Sequence, residues 1–124
     1  MGAWGPGNWE NDHALDWVAD LHEWRDVEAA LAGPLSHAGS CCRALAAAEV
    51  VAACVGRSSR RLPDGVEAWV AQHGAECAPD LRETAAKIVS DIGSRSELRS
   101  LFDDGGRNAE WHAIVEELRA RLLR

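Results

Sequence analysis

The chain has 124 residues, 47% apolar and 27% charged, which is a globular balance with room for one core. A formal net charge of −7 argues against a general nucleic-acid binder, which needs a basic face, and against docking on an anionic membrane. No apolar run reaches the roughly eighteen residues of a membrane span, and no apolar leader follows the start, so a cytoplasmic protein is expected.

Four of the six tryptophans fall early: Trp4, Trp9, Trp17 and Trp24. Gly2, Gly5, Pro6 and Gly7 let the backbone turn around the first two. Large indole rings tie a chain terminus down. Residues 1–10 are therefore expected to form an ordered Trp/Gly loop packed on a helical body, with Trp4 and Trp9 largely buried.

The rest reads as helices. Tyrosine is absent, phenylalanine occurs once, and no segment alternates apolar and polar residues long enough for a strand. The expectation is an all-α, single-domain bundle of five to six helices over residues 1–124. The first helix starts at Asn11 or Asp12, either of which caps free N–H groups. Its apolar face runs through Ala14, Leu15, Trp17, Val18, Leu21 and Trp24. A break is placed near Arg25–Asp26, followed by a short turn from Val27 to Leu31 that Gly33-Pro34 ends.

Ser40 is read as the cap of a second helix from about Cys41 to Val55, apolar nearly all round and hence central. A third spans about Gly65 to His73 and turns Val66, Trp69 and Val70 inward. The fourth runs from about Pro79 to Ile92 and stops at Gly93. A short fifth begins at Ser94 or Ser96 and passes through Leu98, Leu101 and Phe102. The sixth runs from Asn108 to about Leu122 on a stripe of Trp111, Ile114, Val115, Leu118 and Leu122. Its late arginines, Arg119, Arg121 and Arg124, suit the helix dipole.

Glu49 stands out because it is the one charge inside the central helix, among Ala46, Val50, Ala52 and Ala53. Burying the helix buries Glu49, and a buried carboxylate needs partners. The nearest supply is the N-terminal loop: backbone N–H groups of Gly5 to Asn8, the Trp4 or Trp9 indole and the Asn11 amide. Glu49 is expected to accept hydrogen bonds there and lock the loop to the helix.

Other constellations are weaker. Asp12 and Asp16 share a helix face, as metal-binding carboxylates do, but capping acids look the same. His37-x3-Cys41 and His73-x3-Cys77 repeat one spacing, yet glycines interrupt both, and buried cysteine is commonly a small hydrophobe. Adjacent Cys41 and Cys42, with Cys54 and Cys77, read as four reduced thiols without metal. No nucleophile elbow surrounds any serine, and Gly105-Gly106 lacks a phosphate-loop lysine. Arg57, Arg60 and Arg61 form a short basic loop, which is usually solvated.

The opening Met1-Gly2-Ala3-Trp4-Gly5 and the run Asn11-Asp12-His13-Ala14-Leu15-Asp16-Trp17 resemble the start of a bacterial family labelled domain of unknown function 4259. The stretches Ala46-Ala47-Ala48-Glu49-Val50-Val51-Ala52-Ala53 and Leu62-Pro63…Trp69-Val70 are similar to it as well. The resemblance implies a small bacterial helical domain and brings no reaction or ligand. The expected function is thus non-enzymatic, by binding another protein, with no cofactor, nucleic acid or membrane involved. The candidate residues are Trp4, Trp9, Asn11, Asp12, Asp16, Trp17 and Glu49. The alternative is a metal-binding protein or enzyme using Asp12, Asp16 and Glu49.

Overall fold

Asn11 starts the first helix. Its Oδ1 accepts from the Ala14 N–H at 2.8 Å, and α1 follows over Asp12–Ala19. The computed structural model describes residues 5–59, 62–106 and 108–124. Within them the chain is all-helical and has no strand. After α1 come α2 (Trp24–Ala32), α3 (Ala38–Cys54), α4 (Val66–His73), a 3-10 turn (Gly74–Glu76), α5 (Leu81–Ser94), α6 (Glu97–Asp104) and α7 (Asn108–Leu123).

Seven α-helices replace the expected five to six, and the extra one is α2. The break comes earlier than the sequence led us to place it, and without glycine or proline. The Asp26 carboxylate accepts from the N–H groups of His22 at 2.9 Å and Glu23 at 3.0 Å. These bonds cap α2 from its own first turn and end the reach of α1. They also hold the Asp26 carboxyl below its ordinary value of 3.8. Asp26→Ala is expected to cost about 0.5–2 kcal/mol in urea unfolding near neutral pH, the usual value of a helix cap. A depressed carboxyl stabilises the fold above its unfolded pKa. The difference between variant and parent should therefore shrink as pH falls below about 3.8 and through the folded value.

Two further boundaries differ. Ser40 is not the cap of α3; His37 is, its Nδ1 accepting from the Ser40 N–H at 3.3 Å while Ser40 Oγ returns a bond to the His37 carbonyl at 2.8 Å. Gly93 does not stop α5, which continues to Ser94. A Cβ at Gly93 would stand 3.1 Å from Val115 Cγ1, so the glycine serves the close approach of α5 to α7. Ser96 caps α6 through the Arg99 N–H at 2.9 Å.

α3 is the centre. Every residue from 44 to 52 is buried, and α3 packs against all six other α-helices. Its small alanines let those neighbours come close, and the larger fillers are Leu45, Val50, Val51, Val89, Ile92, Trp111 and Leu118. Ile114 stays half-exposed, leaving Arg121 on the inward face of α7. Opposite α7, two tryptophans clasp α2 to α4. Trp24 Nε1 donates to the His73 carbonyl at 2.8 Å, and Trp69 Nε1 to the His22 carbonyl at 3.0 Å. Their rings meet edge-on at 5.1 Å. No helix among the described residues is long and apolar enough to cross a membrane.

Candidate functional site

Glu49 lies midway along α3 and is 2% exposed. Arg121, one turn from the end of α7, meets it as a two-pronged fork. Nη1 donates to Glu49 Oε1 at 2.9 Å and Nη2 to Oε2 at 3.0 Å. Planar guanidinium and planar carboxylate match in this way, and both bonds are charge-assisted. Arg121 also donates through Nη1 to the Arg57 carbonyl at 3.0 Å and through Nε to Glu117 Oε2 at 2.6 Å. Burial works against the Arg121 charge, but the bonds to Glu49 and then Glu117 outweigh it and push its pKa above the ordinary guanidinium value.

The third member comes from the N-terminal segment. Asn8, 5% exposed, donates its side-chain amide to Glu49 Oε2 at 2.8 Å. Glu10 shapes that segment: its N–H donates to the Gly7 carbonyl at 3.0 Å, and its Oε1 accepts from the Gly7 N–H at 2.8 Å. A Cβ at Gly7 would stand 2.5 Å from that same Glu10 oxygen, so only glycine admits the fold-back. Asn11 both caps α1 and reaches the Asn8 carbonyl at 3.5 Å. Asn8 Oδ1 and Trp9 Nε1 are buried without a partner.

Glu49 therefore does accept from the N-terminal segment, through the Asn8 side chain. The backbone N–H groups, the Trp9 indole and the Asn11 amide, named from the sequence, are not its donors. Trp9 is half-buried, not largely buried, and Trp4 lies outside the described residues, as do Arg60 and Arg61. Trp17 is half-buried against the core. Asp12 and Asp16 are exposed on α1, so the carboxylates of the alternative reading are not brought together with Glu49. Among the described residues no three His, Cys, Asp or Glu side chains gather in a metal-binding group. His37 is spent on capping α3, and His73 faces Glu76 at 3.5 Å.

Sequence reasoning missed Arg121 and the Asn8 side chain. A signal for Arg121 existed: it falls beside Leu118 and Leu122 on the apolar stripe of α7, and a buried carboxylate needs a cation. A second polar group, also missed, lines a groove between α5 and α7 with Ser90, Ser94, His112, Glu116 and Arg119. There His112 Nε2 lies 3.4 Å from Asp103 Oδ1, and Arg119 pairs with Glu116 at 3.0 Å. Neither serine hydrogen-bonds the histidine, so the groove holds no assembled nucleophile.

A family model described as Domain of unknown function (DUF4259) matches residues 2–113. The chain belongs to that family. No curated protein and no solved structure matches the chain. The stretch matched by DUF4259 includes Asn8 and Glu49 and stops short of Glu117 and Arg121.

Asn8→Ala is expected to cost about 1–3 kcal/mol, since it removes a donor from a buried acceptor. Asn8→Asp should cost more, because it sets a second carboxylate against Glu49. Denaturant midpoints rank the two. Deleting residues 1–9 should lower the melting midpoint at least as far as Asn8→Ala; an unchanged midpoint would mean the segment does not hold the bundle.

Proposed function

We propose that residues 1–124 form one bacterial, cytoplasmic helical domain that works without catalysis, by binding a basic surface of another protein. The observation that carries this is the outer face of α1. Asp12, Asp16 and Asp20 recur every fourth residue, all are exposed, and none has a partner among the described residues. Like charges at this spacing cost about 0.2–0.5 kcal/mol per pair. Asp20 also closes the negative end of the helix, where an acid is unfavourable. A cationic partner surface would relieve both costs. The interior charges, by contrast, are matched to one another: Glu49 and Arg121 serve as the fastener that keeps α1, α3 and α7 in place behind this face. The four free cysteines suit a reducing compartment.

Retention of proteins from the native cell extract on the immobilised chain tests the proposal, with a D12N/D16N/D20N variant beside it. A basic protein should be held at low salt, released as salt rises, and held at least tenfold less by the variant. The variant itself should be no less stable than the parent. Equal retention by both chains would overturn the acidic face as the contact, and stoichiometric metal in the purified protein would favour the metal-binding alternative.

A further inference from the structure

Cys54 closes α3, and Cys77 follows the 3-10 turn Gly74–Glu76. That turn begins directly on Cys54. A Cβ built at Gly74 would stand 3.8 Å from Cys54 Sγ and 3.9 Å from Cys54 Cα. The Cys77 N–H donates to the Gly74 carbonyl at 3.3 Å, which puts the two residues one 3-10 turn apart. Side chains three apart on such a turn eclipse, with an advance of about 6 Å. Cys77 therefore leaves the turn on the Gly74 face, the face that rests on Cys54. The offset is close to the Cα separation of about 4.4–6.8 Å that a disulfide spans. Both residues sit at element ends, where small backbone adjustments are least costly. Both are half-buried, whereas Cys41 and Cys42 are fully enclosed in α3.

We propose that Cys54 and Cys77 are a paired thiol site that closes to an intramolecular disulfide on contact with a low-molecular-weight disulfide such as oxidised glutathione. The Cys77 thiolate attacks one sulfur of the small disulfide, forming a mixed disulfide and releasing one small thiol. The Cys54 thiolate then attacks Cys77 Sγ, the mixed bond breaks, and the second small thiol leaves. The two cysteine protons end on the two released thiols, so the protein is oxidised by two electrons and the small disulfide reduced by two. Burial, with the neighbouring Cys77, pushes the Cys54 thiol up to about 12, and burial raises Cys77 too. Thiolate is scarce at neutral pH, so closure is slow. The reduced pair also gains none of the thiolate stabilisation that makes some disulfides strongly oxidising. The closed link would tie the end of α3 to the chain just beyond α4, behind the Trp24–Trp69 clasp.

The reduced native chain, incubated with excess oxidised glutathione at about pH 8.5 and then alkylated under denaturing conditions, tests this. The expected product is lighter by two hydrogens before alkylation and takes up half the label of the untreated chain. Its unreduced digest should yield one linked peptide pair, carrying Cys54 and Cys77. Cys54→Ser and Cys77→Ser should each abolish that pair, and a C41S/C42S chain should retain it. Full labelling after treatment, a persistent glutathione adduct, or a link through Cys41 or Cys42 would overturn the proposal. The linked peptide is read from the native chain, so the test does not depend on any variant folding.

Discussion

Glu49→Ala is expected to lose about 3–5 kcal/mol in denaturant unfolding, the cost of stranding one partner of a buried ion pair. The substitution leaves Arg121, itself 5% exposed, with Glu117 as its one remaining carboxylate, and that side chain is half in solvent. It also removes the acceptor of the Asn8 amide. Small domains are stable by only about 5–15 kcal/mol in total, so the variant should unfold at a much lower denaturant concentration. Glu49→Gln keeps an acceptor and should lose less. Arg121→Met alone should resemble Glu49→Ala, because it strands the carboxylate instead. The E49L/R121M double variant should lose less than the two single losses added together, since no charge is then left unpaired. Equal, small losses for Glu49→Ala and Glu49→Gln would defeat this account of the site. Because the pair is enclosed, the parent's stability should respond little to salt.

Trp111→Ala should cost a similar amount, about 3–5 kcal/mol, for a different reason. The ring is 1% exposed and lies where α6, α7 and the N-terminal segment converge on α3. It stacks on Phe102 with centroids 5.5 Å apart. Removing it opens a cavity beneath the segment that carries Asn8. Phe102→Ala should cost less, as Phe102 is already half-exposed. A double-mutant cycle between the two should return a coupling of about 0.5–1.5 kcal/mol. A coupling near zero would show that the stacked pair contributes only its separate burial.

Helix identity was legible because it depends on local spacing. The alanine-rich run around Glu49 is apolar on all sides, and a helix of that kind has to be enclosed. Boundaries were less legible where a side chain reaches across a turn. Asp26 caps α2 from inside it, and His37 takes the place expected of Ser40; neither leaves a composition signal like glycine or proline. Gly93 misled in the opposite sense. A glycine near a helix end commonly marks a stop, but here it accommodates Val115 of α7, a residue distant in sequence.

The sequence by itself determined that the chain is helical, that α3 lies at the centre, and that Glu49 is buried and in need of donors. Those conclusions rest on periodicity and on the cost of dehydrating a charge, both of which are properties of a short stretch. Only the tertiary structure decided which donors answer. Arg121 lies 72 residues from Glu49 and Asn8 lies 41, and the amide and guanidinium meet on one carboxylate only because α7 and the N-terminal segment both pack on α3. On α7 alone, Arg121 looks like one of several arginines favoured by the helix dipole. The fold turns its guanidinium inward, where a low-dielectric setting makes a matched carboxylate necessary.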